Sequence, residues 1–432
     1  MKRFGFFFSG FWAKIAISLF YCITFYFAYI NFLNFYFSYA GYDLIEARKE
    51  NFLLILITLL FGVLPIFFFR GIKTISSFLC IFIYFILYVP IIVTFHFAMK
   101  GNVSYVIYQQ ILFVFGMSIL FVADRIVLKN SYTFKTNLDL FKVVLILTIA
   151  ITIFMMIVYR GNLRIVSFAD VYDLRSENEE LGHGVVMGYL SSWLVSVLIP
   201  LCLAYSIFAK KWVYFLVGIF GCVIVYMATG AKTAVVFPIV TYLIYKLFTN
   251  FNLKYSFFAL GLGLSITVIL ISVSEFNVIS SLIMMRTIGN GGDLAIQYHD
   301  FFINHPKTYY SHINVVNLIT NSYPYNKPLG QVIGNYYLGD TNSNASFWAT
   351  DGYASAGDLG VVLASIFLFM IFVLFNSISK SYNKIFIIIV LIPFITSFLN
   401  SSMFQSLMSG GAILTFFFLS FSSIKRNNYI IQ

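Results

Sequence analysis

Charged side chains are scarce in this sequence. Only 10% of its 432 residues are Asp, Glu, Lys or Arg, whereas an ordinary soluble domain has about 25%. Hydrophobic residues make up 60% of the chain and aromatic residues 20%. The surface of a water-soluble fold cannot accommodate that much Phe, Ile, Leu and Tyr, so the composition excludes an ordinary soluble domain.

Cysteines and recognisable catalytic motifs are also scarce. The four cysteines, Cys22, Cys80, Cys202 and Cys222, all lie within apolar runs, which favours small buried side chains over disulfides or metal ligands. The sequence lacks a GxSxG motif, a phosphate-binding GxxxxGK[ST] loop and an HExxH pair. We therefore predict neither a metal site nor a cofactor.

Long apolar runs recur along the whole chain. A run of about 20 residues can cross the roughly 30 Å hydrocarbon core of a bilayer as a helix, and a helix satisfies the backbone polar groups that lipid cannot. We predict an all-α polytopic integral membrane protein, a single membrane domain over residues 1–432 with about twelve transmembrane helices. The predicted spans are 11–31, 52–69, 74–95, 105–123, 141–159, 186–208, 212–228, 234–249, 255–275, 357–376, 385–400 and 410–424.

The formal net charge of +11 is explained by membrane topology. If the N-terminus lies in the cytoplasm, most of the 27 Lys and Arg residues fall on the cytoplasmic face, with only Asp124 and Asp139 of the 16 acidic residues. This bias is the positive-inside rule. We expect both termini in the cytoplasm, a multi-pass protein in contact with membrane lipids, and no nucleic-acid partner.

Two connections are longer than the others, and both are predicted to lie outside. Residues 160–185 form the first long outer loop, and residues 276–356 form one large outer loop. Long ordered loops are uncommon unless they are functional, and the second loop is too aromatic for a disordered linker. We expect it to fold into short helices that lie along the outer membrane surface and cover a cavity.

Basic residues beside these outer segments are candidates for binding an anion. They are Arg164, Arg175, Lys232 and Arg286. Arginine offers phosphate a planar fork of donors, and Lys232 lies in a short turn where the start of a helix would add further donors. The membrane anion with a reactive bond is a lipid-linked diphosphate. The alternative is that each residue snorkels to lipid phosphates.

The large loop also contains candidate general bases. We favour His312 and Asp351, since histidine is suited to proton transfer near neutral pH. The other candidates are Asp293, His299, Asp300, His305, Asp340 and Asp358. The alternative reading of each one is a surface residue or a hydrogen-bonded loop residue.

Four passages resemble a known family. They are Asp170–Arg175 (DVYDLR), Thr229–Ala234 (TGAKTA), Phe301–Gly330, and Asn344–Gly360 (NASFWATDGYASAGDLG). In their order, and in the multispan topology with one large outer loop, the chain resembles the O-antigen repeat-unit polymerases (Wzy-type). The TGAKTA turn is similar to a small-small-Arg/Lys-Thr/Ser-Ala turn that these enzymes share with O-antigen ligases.

The resemblance implies a GT-C-like membrane glycosyltransferase on the periplasmic face of a bacterial inner membrane. The two long outer loops, 160–185 and 276–356, would then be periplasmic. Such an enzyme joins repeat units carried on undecaprenyl diphosphate into O-antigen or capsular polysaccharide, with neither metal nor nucleotide, because the diphosphate is already a good leaving group. The four basic residues would hold that diphosphate, and His312 or Asp351 would accept the proton of the acceptor hydroxyl. Tyr323, Tyr325 and Trp348 could stack on sugar faces, although packing within the loop is the explanation that we favour.

The sequence is also compatible with other functions. An O-antigen ligase is the alternative within the same class, but the ligase-like His-Asn pair before the final glycines is absent, and Asn344 and Asp351 occupy that region. A polysaccharide transporter (flippase) is the alternative from another class, although the middle of each span is nearly free of charge. A polysaccharide chain-length regulator is a candidate partner whose binding the sequence does not decide.

Overall fold

The computed structural model describes residues 10–126, 128, 134–136, 139–167, 170, 171, 174, 177, 184–274, 276–339, 342–343, 347–399 and 401–423. This part of the chain is almost entirely helical. The helices are α1 (Phe11–Ala40), α2 (Glu46–Lys49), α3 (Phe52–Phe68), α4 (Ile75–Ala98), α5 (Val103–Arg125), α6 (Leu140–Val158), α7 (184–209), α8 (Trp212–Thr229), α9 (Lys232–Asn250), α10 (Leu253–Val273), α11 (278–304), α12 (Asn314–Thr320), α13 (Leu329–Leu338), α14 (Phe347–Ala356), α15 (Asp358–Ser379), α16 (Lys384–Val390), α17 (Ile392–Phe398) and α18 (Met403–Ser420).

The membrane-spanning character of the chain is confirmed. Ten helices of the described part are long and apolar enough to cross a bilayer, namely α1, α4 to α10, α15 and α18. The predicted spans 52–69 and 385–400 correspond to shorter helices, α3 in the first case and the pair α16 and α17 in the second. The chain is therefore a multi-pass α-helical membrane protein, and a count of twelve spans stays a prediction.

Proline and glycine explain where the helices differ from the predicted spans. The span 385–400 is interrupted at Leu391, and Pro393 lacks the N–H that would continue the backbone ladder. The last span begins at Met403, before the predicted 410, and bends at Gly411, whose φ is +79°. Glycine tolerates this left-handed conformation, so the helix resumes immediately at Ala412.

The large loop is more ordered than a set of short helices. Helices α12, α13 and α14 are short, as expected, but residues 278–304 form one long helix. It begins at a capping box in which Asn277 Oδ1 accepts from Ser280 N at 2.8 Å and Ser280 Oγ accepts from Asn277 N at 2.9 Å. The expectation of short helices alone is therefore wrong for this part of the loop.

Four π-helical segments lie inside the longer helices of the described part. They are Tyr29–Asn34 in α1, Ile83–Tyr88 in α4, Leu194–Leu198 in α7 and Leu282–Gly289 in α11. π-turns often mark functional sites. Two strands of three residues, β1 (Phe134–Thr136) and β2 (Phe421–Ser423), pair in parallel with Phe134 opposite Phe421. This pair is a small exception to the predicted all-α class.

The chain divides into two compact units. Unit 1 comprises Met1–Val127, Asn252–Leu374 and Phe398–Phe404. Unit 2 comprises Leu128–Phe251, Phe375–Ser397 and Gln405–Gln432. The single membrane domain stays a prediction.

Aromatic side chains and a glycine build the core of unit 1. The rings of Tyr21 and Phe85 meet edge to face at 5.4 Å, and the buried Tyr84 hydroxyl donates to Gly62 O at 2.7 Å. A Cβ on Gly261 would lie 2.8 Å from the ring of Phe85. Glycine at this position therefore lets α10 pack closely against α4.

Unit 2 has a similar core of aromatic and small residues. Phe141 stacks on Tyr205 with ring centroids 4.0 Å apart, and a Cβ on Gly218 would lie 2.9 Å from Leu203. Across the two units the four cysteines are buried and free of disulfides, which confirms their prediction as small buried side chains.

Candidate functional site

His312 and Asp351 form a hydrogen-bonded pair within unit 1. Nε2 of His312 lies 3.3 Å from Oδ1 of Asp351. The Asp351 side chain is fully buried, and only 6% of the His312 side chain is exposed. The sequence named these residues as alternative bases, and the fold brings them together although they are 39 positions apart.

Asp351 is placed to orient the imidazole ring of His312. Its second oxygen, Oδ2, accepts a 2.5 Å hydrogen bond from the backbone N–H of Met403. A buried carboxylate needs such donors, because its hydration is lost. Since both oxygens are engaged and no part of the side chain is exposed, Asp351 can hold the imidazole of His312 but cannot contact a substrate directly.

Thr308 occupies the other nitrogen of His312. Thr308 Oγ1 lies 2.8 Å from His312 Nδ1 and 3.0 Å from the carbonyl oxygen of Ala354. The single hydroxyl proton can serve only one of these acceptors at a time. When the ring is neutral, with N–H at Nε2, Thr308 donates to Nδ1. When Nδ1 gains a proton, Thr308 can accept from it and donate to Ala354, so both protonation states of the ring are satisfied.

A backbone clamp fixes the segment that carries His312. Thr308 N donates to Ala354 O at 2.8 Å, and Tyr309 N donates to Ser355 O at 3.1 Å. Tyr309 and Tyr310 adopt φ values of +46° and +66°, a left-handed conformation that is unfavourable for bulky residues and is often retained at functional sites. Burial raises the pKa of Tyr310, and the charge of Asp351 adds to this effect.

Two glycines bring α14 against the start of α15 and thereby position Asp351. A Cβ on Gly352 would lie 2.5 Å from Val361 N, and a Cβ on Gly360 would overlap the carbonyl oxygen of Gly352. Gly357 makes the turn between the helices with a φ of +65°. The two backbones can touch in this way only without side chains, which explains the glycines of the DGYASAGDLG passage.

A second polar network in unit 1 is centred on His299. Its Nε2 lies 2.6 Å from the Tyr105 hydroxyl, and its Nδ1 lies 3.0 Å from Asp300 Oδ1. Lys100 Nζ pairs with Asp300 Oδ2 at 3.3 Å. His299 is 3% exposed, and both of its ring nitrogens have hydrogen-bond partners.

Gln109 extends this network to α14. Its Nε2 donates to Tyr105 at 3.2 Å and to Asp358 Oδ1 at 3.0 Å, and its Oε1 accepts from the Tyr353 hydroxyl at 2.7 Å. Tyr353 lies two residues after Asp351 on α14. The network therefore stabilises the helix that carries Asp351, the partner of His312. Gln109 was not predicted as a site residue, although a glutamine inside an apolar span is a usable signal.

Arg286 and Asp293 lie on α11 in contrasting surroundings. Arg286 is exposed on the π-helical segment, and no carboxylate of the described residues pairs with it. Asp293 is buried against Gly41 and accepts from Gln297 Nε2 at 2.8 Å. Burial raises the pKa of Asp293 to about 8 and outweighs the Gln297 hydrogen bond, which lowers it.

The other predicted anion-binding residues belong to unit 2. Arg164 is paired with Glu177, with its Nη2 2.7 Å from Oε1 and 2.6 Å from Oε2, and both side chains are about half exposed. Lys232 is exposed in the first turn of α9, where Ala231 provides no side-chain cap. Arg175 lies outside the described residues.

The turn that carries Lys232 packs against the first long outer segment. Gly230 has a φ of +59°, and a Cβ there would lie 2.7 Å from Val171 Cγ1. The Tyr226 hydroxyl donates to Val166 O at 2.6 Å. The TGAKTA and DVYDLR passages are therefore neighbours within unit 2, as the other two passages are within unit 1.

The remaining loop candidates are held by loop contacts. The His305 ring stacks on Phe301 at 3.9 Å. The Tyr323 hydroxyl donates to Lys327 O at 2.9 Å, and the Tyr325 hydroxyl donates to Pro306 O at 2.6 Å. These contacts favour packing over sugar stacking for both tyrosines. The Trp348 side chain and residue Asp340 lie outside the described part.

In the part of the chain that the structure describes, no group of three or more His, Cys, Asp or Glu residues is arranged to hold a metal ion. Comparisons with family models, with curated proteins and with solved structures gave no match.

Proposed function

We propose that this protein is a membrane glycosyltransferase that polymerises oligosaccharide repeat units carried on a lipid diphosphate. The observation that carries the proposal is the buried His312–Asp351 pair. It joins two of the four passages that resemble repeat-unit polymerases, and the other two passages contact each other at Gly230 and Val171. The GT-C-like fold with twelve spans and the placement of the site at the periplasmic face of a bacterial inner membrane belong to the same proposal.

In the proposed reaction, His312 is the general base. Asp351 holds a proton on Nε2, so the lone pair of Nδ1 faces Thr308. The Thr308 side chain rotates so that its Oγ1 leaves Nδ1, and the acceptor sugar hydroxyl takes that place. The acceptor oxygen attacks the anomeric carbon of the donor, the bond from that carbon to the diphosphate oxygen breaks, and His312 takes the acceptor proton.

The basic residues neutralise the leaving diphosphate in this proposal. Donors aimed at charge that develops in the transition state contribute strongly to catalysis. The exposed Arg286, which lies in the same unit as His312, is best suited to this role. Lys232 and Arg175 keep the role that the sequence predicts for them. Arg164 must exchange Glu177 for the diphosphate, so we give it the smallest contribution.

Deletion of the gene tests the proposed function. If the protein is a polymerase, the deletion strain should carry a single repeat unit on its surface lipid. Gel analysis of the surface polysaccharide detects this directly. Accumulation of finished polymer on its lipid carrier would instead indicate a ligase. Loss of every unit would indicate an earlier step or transport, and both outcomes contradict the proposal.

Topology reporters test the proposed orientation. Fusions after residues 72, 132, 210 and 382 should report the cytoplasm, and fusions near 170 and 320 should report the periplasm. A cytoplasmic signal at 320 would place His312 on the wrong side for a lipid carrier that is used outside.

A further inference from the structure

A cavity of about 780 Å³ lies among α7, α8 and α9 in unit 2. Trp212, Phe215 and Ile219 line it from one face of α8, since residues three and four positions apart share a helix face. On α9, the first lining residue is Pro238 and the last is Lys246. Along α8 and α9 the cavity therefore extends for about 10–12 Å, at about 1.5 Å per residue.

Positive charge gathers at one end of this cavity. Lys210 and Lys211 form the link between α7 and α8, and Lys246 lies near the end of α9. All three are exposed, and none of the described residues that line the cavity is acidic. The Lys246 ammonium lies 5.7 Å from the centre of the Tyr242 ring, which places it beside the aromatic wall.

The rest of the lining is mainly apolar and opens to the surface of the unit. Trp212 is 75% exposed and Ile239 is 61% exposed although both line the cavity. A small inorganic anion would use the lysines but leave this apolar wall unused. A molecule with an anionic head and a hydrocarbon tail would use both, and basic pockets between transmembrane helices bind anionic lipid head groups.

We propose that this cavity binds one anionic phospholipid, with its phosphate at Lys210, Lys211 and Lys246 and an acyl chain along α8 and α9. Lys232 begins α9 and Lys246 lies near its other end, so the site is separate from the residues assigned to the donor diphosphate. Under the predicted topology the phospholipid belongs to the cytoplasmic leaflet. The inference does not depend on the glycosyltransferase assignment.

Native mass spectrometry of the purified full-length protein tests this site. The protein is released from vesicles that contain equal amounts of phosphatidylglycerol and phosphatidylcholine, and retained lipid is counted. The cavity variant carries Lys210→Gln, Lys211→Gln and Lys246→Gln. The matched control carries three substitutions at exposed lysines of unit 2 outside the cavity lining, Lys142→Gln, Lys380→Gln and Lys384→Gln.

We expect wild type and control to retain phosphatidylglycerol in preference to phosphatidylcholine. The cavity variant should bind it roughly fivefold more weakly per lysine, and on the order of 100-fold more weakly in total. Ile239→Trp, which fills the apolar wall without removing charge, should also lower retention. Equal retention by the cavity and control variants would overturn the proposal. So would full displacement of the lipid by soluble glycerol phosphate, because it would show that a free phosphate is the ligand.

Discussion

The two units hold their candidate groups in opposite ways. In unit 1, His312 and Asp351 are buried, and each polar atom of the pair has a partner at hydrogen-bond distance. In unit 2, Lys232 is exposed and Arg164 is about half exposed in an ion pair. The difference matches two kinds of chemistry. A base needs a fixed tautomer and a fixed direction, whereas a cation that receives a large anionic lipid head needs room to move.

Removal of the base should have the largest effect on polymerisation. His312→Ala should lower the rate by about 100- to 10,000-fold, the usual contribution of general acid–base catalysis. The assay follows polymer formation from lipid-linked repeat units by purified protein. His305→Ala is the matched control, because His305 lies in the same loop but stacks on Phe301 away from Asp351. Comparable losses in both variants would mean that His312 is only a structural residue.

Removal of a cation from unit 2 should have the next largest effect. Lys232→Ala should reduce the rate by roughly 100- to 1,000-fold, as expected when a donor to developing charge is lost, and Lys232→Arg should restore most of it. Arg175→Ala and Arg286→Ala should behave like Lys232→Ala, and Arg164→Ala should lose less because Glu177 already engages it. Protein amount is measured alongside the rate. Wild-type polymer from Lys232→Ala and Arg286→Ala would show that these residues only snorkel.

The close contact of α14 with α15 can be tested by adding one methyl group. A Cβ at position 352 meets backbone at 2.5 Å, so Gly352→Ala should cost about 1–3 kcal/mol of stability and displace Asp351. Gly263→Ala adds the same group where no atom of the described residues lies within 4 Å of the new Cβ. Thermal unfolding in detergent should separate the two variants, and equal melting temperatures would refute the contact.

A further expected effect is on the pH dependence of stability in unit 1. Burial raises the pKa of Asp293 from 3.8 to about 8, so the folded protein holds a proton that the unfolded chain loses. The stability gained from this proton is complete below about pH 4 and is lost progressively as pH rises to about 8. Asp293→Asn should therefore make the melting temperature depend less on pH between pH 5 and pH 8. An unchanged pH slope would contradict the burial argument.

The sequence predicts the helices better than it predicts the site. Apolar run length is a local property, so most spans lie where expected, and the exceptions follow from local breaks such as Pro393 and Gly411. The long helix 278–304 was missed because its polar and glycine positions resemble a loop. His312 and Asp351 could be named from residue type, but their contact depends on packing at Gly352 and Gly360, which a single sequence does not reveal.

One measurement tests the proposed function most directly. Purified protein is incubated with a lipid-diphosphate-linked repeat unit and no nucleotide sugar, and the products are resolved by gel electrophoresis and mass spectrometry. We predict a ladder of polymers, one free lipid diphosphate for each bond formed, and no ladder from His312→Ala. An unchanged substrate in the presence of folded wild-type protein, or an equal ladder from His312→Ala, would contradict the account.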